Sequence, residues 1–174
     1  MIQIKNAADL QKMRKACAIS AAALKAGGEA IEPGITTAEI DKIIYDFIVR
    51  HGARPNFLHL YGFPATACIS VNDTVIHGIP NKQQQIRPGD IVSIDTGCKI
   101  DGFNGDNACT YACGKIDLEA QRLLDVTKES LHRGIEMACG GNRVGDIGHA
   151  VQSYVEENGF SVVRTFVGHG VGKE

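Results

Sequence analysis

Asp95 and Asp106 lie eleven positions apart, and the residues between them read as a device for bringing two carboxylates together. Pro88-Gly89 leads into an alternating β-branched run, and Asp101-Gly102 is the residue pair that a two-residue hairpin turn prefers. With that turn, Ile100 faces Phe103, Gly97 faces Asp106 and Asp95 faces Ala108. Strand side chains alternate, so Asp95 and Asp106 fall diagonally on one face, roughly 7–8 Å apart backbone to backbone. Ser93 and Gly97 share that face and are small. Two carboxylates converging over small neighbours need a proton, a cation or a metal if they are buried; otherwise they are two acids on a solvated hairpin.

His169 lies in Gly168-His169-Gly170, just past an apolar run, where the backbone can approach a ligand closely. Two hard carboxylates and an imidazole suit Zn²⁺, Mn²⁺, Co²⁺ or Fe²⁺, and a carboxylate-rich site can hold two such ions about 3.5–4 Å apart. A histidine in a glycine loop is otherwise an ordinary surface turn. His77, between Val75-Ile76 and Gly78-Ile79-Pro80, can hydrogen-bond a substrate amide or exchange a proton. Its alternative is a core histidine bonded to a carbonyl. Residues 101–106 lack the ligand spacing and closing glutamate of an EF-hand, and no helix follows Gly168-x-Gly170-x-Gly172 to make a dinucleotide loop. Cys109 and Cys113 fall on one face of an expected strand but lack a second ligand pair, so no structural zinc site is expected. His51, His59, His132 and His149 have no acidic or cysteine partner in the sequence pattern.

The elements that must position these residues are legible in order. A helix is expected over about Asp9–Ile31, alanine-rich with one apolar stripe and stopped at Pro33-Gly34. Thr36 and Glu39 form a capping box for a second helix that runs to Gly52. A loop-like aromatic stretch, a strand at 66–71 and an extended segment at 75–80 precede the hairpin. A long helix from Asp117 to Gly140-Gly141, a helix over about Val144–Glu157 and a strand over Ser161–Val167 complete the chain.

A shift of 107 residues aligns Leu24 with Leu131, Gly27 with Gly134, Glu29 with Glu136, Gly34 with Gly141, Ile40 with Ile147 and Gly52 with Gly159, without a gap. This marks an internal duplication, with a first repeat over about 9–113 and a partial second one over about 116–174. The second copy stops where the first begins its strand and acidic hairpin. An unpaired sheet edge and a route to self-association are therefore expected.

The 174 residues suit one domain. A net charge of −2 with scattered Lys and Arg offers no footprint for nucleic acid or an anionic membrane. No signal peptide or membrane-spanning run is visible, and six cysteines without Cys-x-x-Cys read as reduced thiols in the cytoplasm.

Five stretches together resemble the type I methionine aminopeptidases of bacteria. They are 68–72 with His77-Gly78-Ile79-Pro80, 89–92 with Ile94-Asp95, 101–103 with Gly105-Asp106, 159–164, and Gly168-His169-Gly170. The resemblance implies an α/β pita-bread fold of two pseudo-twofold-related halves, the second incomplete here, around two divalent metal ions (Co, Mn, Fe or Zn). By the same resemblance Asp95 chelates one metal, Asp106 bridges both and His169 binds the second, while His77 contacts the scissile amide. Phe63 and Cys68 match positions lining the methionine pocket, although Leu60 and Phe63 replace tyrosines common there. The implied reaction is removal of the N-terminal methionine from nascent chains, in the cytoplasm and near the ribosome. The family also uses two glutamates and a second histidine from its C-terminal part, which find no match here. The expectation is accordingly a truncated form with weakened metal binding and little or no hydrolysis of its own. The alternative from another class is a non-catalytic pita-bread binding module, which usually loses the ligands that Asp95, Asp106 and His169 retain.

Overall fold

A computed structural model describes residues 3–173, and they form two compact units. The first runs to Ile116 and takes in the final segment from Gly170, and the second is Asp117–His169.

In the first unit, helix α1 spans Ala7–Glu29 and helix α2 spans Thr37–Arg50. Each begins where a side chain satisfies an otherwise unpaired amide. Asn6 Oδ1 accepts from the Asp9 N–H at 2.9 Å, and Thr36 Oγ1 accepts from the Glu39 N–H at 3.2 Å while the Glu39 carboxylate accepts from the Thr36 N–H at 2.8 Å. Four antiparallel strands follow: β1 (Arg54–Pro55), β2 (Ala67–Val71), β3 (Ile91–Ile100) and β4 (Phe103–Ala112). β3 is central, pairing with β4 along its whole length, with β2 over Val92–Thr96 and with β1 at Cys98–Lys99.

Alternation gives this sheet two unlike faces. Ala67, Ile69, Val71, Val92, Ile94 and Cys98 point into a core closed by Leu24, Ile40, Ile44 and Ile48 of the helices. Small residues let α1 lie close on that face. A Cβ at Gly105 would stand 2.4 Å from the Ala16 carbonyl oxygen, and Ser20 Oγ donates to the Thr96 carbonyl at 3.0 Å. The opposite face carries Asp95 and Asp106.

The second unit is built on α3 (Leu118–Glu136) and α4 (Val144–Glu157). Asp117 caps α3, accepting from the Ala120 N–H at 2.7 Å. The two helices repeat the packing of the first unit's pair. A Cβ at Gly27 would meet Ile44 Cδ1 at 2.7 Å and Ile40 Cγ2 at 3.5 Å; one at Gly134 would meet Val151 Cγ2 at 2.8 Å and Ile147 Cγ2 at 3.5 Å. Residues 44 and 151 stand in the same 107-residue register as Gly27 and Gly134, so one glycine contact joins each helix pair.

Two expected extended segments are irregular. Residues 75–80 form no strand because His77 turns to φ +59°, out of the β region. Ser161–Val167 forms no strand either. A strand needs a neighbour to take its amides and carbonyls, the one sheet among the described residues belongs to the first unit, and Val163, Phe166 and Val167 are exposed. Cys109 is exposed and Cys113 is buried past the end of β4, so the two do not share a strand face. All six cysteines are free. Among the described residues no helix is long and apolar enough to cross a membrane.

Candidate metal centre

The β3–β4 turn has the mirror-image geometry that suits strand twist, with positive φ at Asp101 (51°) and Gly102 (82°). It is tied to α1 by an ion pair of 2.7 Å between Lys15 Nζ and Asp101. The register is the one the turn residues imply: Ile100 opposite Phe103, Gly97 opposite Asp106, Asp95 opposite Ala108. On the other side of β3, Cys68 stands opposite Asp95 and Ser70 opposite Ser93. Cys68, Ser70, Ser93, Asp95, Gly97, Asp106 and Thr110 thus share one face, away from the helix-covered core. Asp95 and Asp106 are each partly exposed there, and Ser93 and Thr110 join their hydroxyls at 2.8 Å.

The electrostatics of this face register on Cys68. Burial pushes its thiol up to about 11, and the charges of Asp95, Asp106 and Asp41 add to the rise. The thiol is therefore neutral at physiological pH and behaves as a small apolar wall beside the carboxylates.

Part of the face is roofed by the chain after β1. The Asn56 N–H donates to the Gly97 carbonyl at 2.9 Å, and a Cβ at Gly97 would stand 3.2 Å from Asn56 Nδ2 and 3.3 Å from Phe57 Cε1. No motif in the sequence singles out Asn56 or Phe57. Their signal was Gly97 itself, a glycine inside a β-branched strand, which marks close approach of another group. The same loop continues through a 3-10 turn, Leu60–Gly62, to half-buried Phe63, whose carbonyl accepts from the His59 N–H at 2.8 Å.

His77 is exposed, and its neighbour Gly78 lies along the edge of β2 that faces away from β3, where the Ile69 N–H donates to the Gly78 carbonyl at 2.8 Å. His169 is exposed and ends the second unit. The first unit thus gathers Asp95, Asp106 and Cys68 on one sheet face, with His77 beside β2. Among the described residues no three His, Cys, Asp or Glu side chains form a closed metal cage. The donor chemistry nevertheless fits hard divalent cations, since two carboxylates share a partly exposed face over small side chains.

The model of the metallopeptidase family M24 matches residues 11–174. The chain is 51% identical over its whole length to a methionine aminopeptidase of Clostridium perfringens, of which it covers 70%, and 45% identical to methionine aminopeptidase 1 of Bacillus subtilis, again covering 70%. It superposes on the crystal structure of methionine aminopeptidase from Rickettsia prowazekii with a TM-score of 0.97 at 39% identity, over all of this chain and 70% of that one.

Proposed function

Because this chain belongs to metallopeptidase family M24 and has the pita-bread fold of its methionine aminopeptidase members, we propose that it takes part in hydrolytic removal of N-terminal methionine from newly made polypeptides. The observation that carries the reading is the diagonal placement of Asp95 and Asp106 on one face, with Asp106 opposite Gly97 and Asp95 opposite Ala108. Asp95 and Asp106 would hold divalent ions. His169 is assigned to the same ions from its Gly-His-Gly motif alone. Bound ions would supply a water of lowered pKa at neutral pH.

The remaining roles belong to the chain's own side chains. His77, an imidazole next to β2, would hydrogen-bond the scissile amide and hold it in line. The neutral thiol of Cys68 and the ring of Phe63 would form apolar walls for the methionine side chain, which gains from leaving water but needs no charged partner.

The test is release of methionine from a Met-Ala-Ser peptide by the chain with added Mn²⁺, Co²⁺, Fe²⁺ or Zn²⁺. Slow release that disappears in EDTA is expected. Release that persists in EDTA, or none with any of the four ions, counts against the reading.

A further inference from the structure

We propose that Ser70 is a positioning residue for His77, acting through the Gly78 amide. The inference deepens the proposed function and rests on it for the role of His77. Ser70 lies on β2, is 4% exposed, and shares the carboxylate face with Cys68, which stands opposite Asp95. Its Oγ accepts the Gly78 N–H at 3.1 Å. The adjacent Ile69 N–H donates to the Gly78 carbonyl at 2.8 Å. Two consecutive residues of one strand therefore grip both polar groups of one peptide residue.

The grip is close because position 78 has no side chain. A Cβ there would stand 2.2 Å from the Ile69 carbonyl oxygen and 2.9 Å from the Ser70 Cα. His77, directly before it, has φ +59°, a conformation that non-glycine residues hold only where their surroundings fix it. The Ile69–Gly78 bond sets how far residue 78 lies along the strand. The Ser70 bond sets its side: the hydroxyl projects from the carboxylate face, so the Gly78 N–H and the His77 peptide before it turn toward that face. Without the hydroxyl, one bond along the edge remains, and His77 can relax toward ordinary φ and carry its imidazole to a different position.

The experiment is amide hydrogen exchange and histidine-ring NMR on the chain as it stands, followed by the variants Ser70→Ala and Ser70→Thr. In the wild type the Gly78 amide is expected to exchange slowly despite its place in an irregular segment. Ser70→Ala should speed Gly78 exchange about tenfold, the worth of roughly one hydrogen bond, and move the His77 ring resonances, while the amides of Val92 and Ile94 keep their rates. Ser70→Thr, which keeps the acceptor, should restore slow exchange. Fast Gly78 exchange in the wild type, an unchanged rate in Ser70→Ala, or a uniform acceleration that includes Val92 and Ile94 would each overturn the clamp. In the peptide assay Ser70→Ala should lower kcat with KM little changed. A wild-type chain that releases no methionine counts against the proposed function, whereas the exchange data decide the clamp without turnover.

Discussion

Gly97 stands opposite Asp106 across the β3–β4 ladder, and the volume a side chain would occupy at position 97 is bounded by the Gly105 carbonyl at 3.0 Å, Asn56 Nδ2 at 3.2 Å and Phe57 Cε1 at 3.3 Å. The glycine thus does two things at once. It places no side chain opposite Asp106 and seats the loop after β1 on the same face. Gly97→Val should therefore displace Asn56 and Phe57 and destabilise the protein by about 1–3 kcal/mol through overpacking. Chemical unfolding measures this, and a valine variant as stable as the wild type would show that the loop is not seated on Gly97.

Asp41 predicts a pH dependence. Its Oδ1 accepts the Thr66 and Ala67 N–H groups at 2.9 and 2.8 Å, anchoring the start of β2 to α2. Burial raises its pKa above 3.8, outweighing those two bonds, which pull it down. A carboxyl raised in the folded state contributes its full stability below the unfolded value and loses it as pH rises through the folded one. Asp41→Asn keeps an acceptor oxygen and removes that loss, so its stability relative to the wild type should improve from pH 3.5 to pH 7. Asp41→Ala leaves two amides without their acceptor and should cost about 2–4 kcal/mol. Urea titrations at the two pH values decide. A constant difference between the Asp41→Asn variant and the wild type would mean that Asp41 is not desolvated.

The two helix pairs give a contrast in sign. Alanine is favoured over glycine inside a helix by about 1 kcal/mol, and at Gly148, with nothing within 4 Å of its Cβ position, Gly148→Ala should stabilise by up to about that amount. At Gly27 and Gly134 the new methyl would meet Ile44 and Val151 at 2.7 and 2.8 Å. Overpacking of about 1–3 kcal/mol should there outweigh the propensity gain, leaving both variants less stable. Thermal unfolding of the three proteins checks this, and stabilisation at Gly134 would show that α3 and α4 are not packed through it.

Much of this was legible in the sequence where local chemistry decides the geometry. Asp101-Gly102 fixes the turn, the turn fixes the register, and the register places Asp95 and Asp106 on one face. The capping box at Thr36 and Glu39 and the α4 boundaries at Val144 and Glu157 follow from equally local signals. The misread segments are those whose conformation depends on something distant. Ser161–Val167 has the β-branched composition of a strand, yet pairing cannot be read from composition. Residues 75–80 look extended until Gly78 is drawn against Ile69 and His77 is forced to positive φ. The role of Asn56 and Phe57 is not legible locally, because it is set by a contact with Gly97, about 40 residues away in sequence and joined only by tertiary packing.

The central claim is that Asp95 and Asp106 form one cation-binding face, and calorimetric titration with Mn²⁺ tests it most directly. Asp106→Ala should abolish the binding heat seen in the wild type. Asp101→Ala removes an acid from the turn only five residues away and loses an exposed ion pair, at a cost of about 1 kcal/mol or less, and should bind Mn²⁺ as the wild type does. Identical isotherms for the wild type and Asp106→Ala would contradict the account.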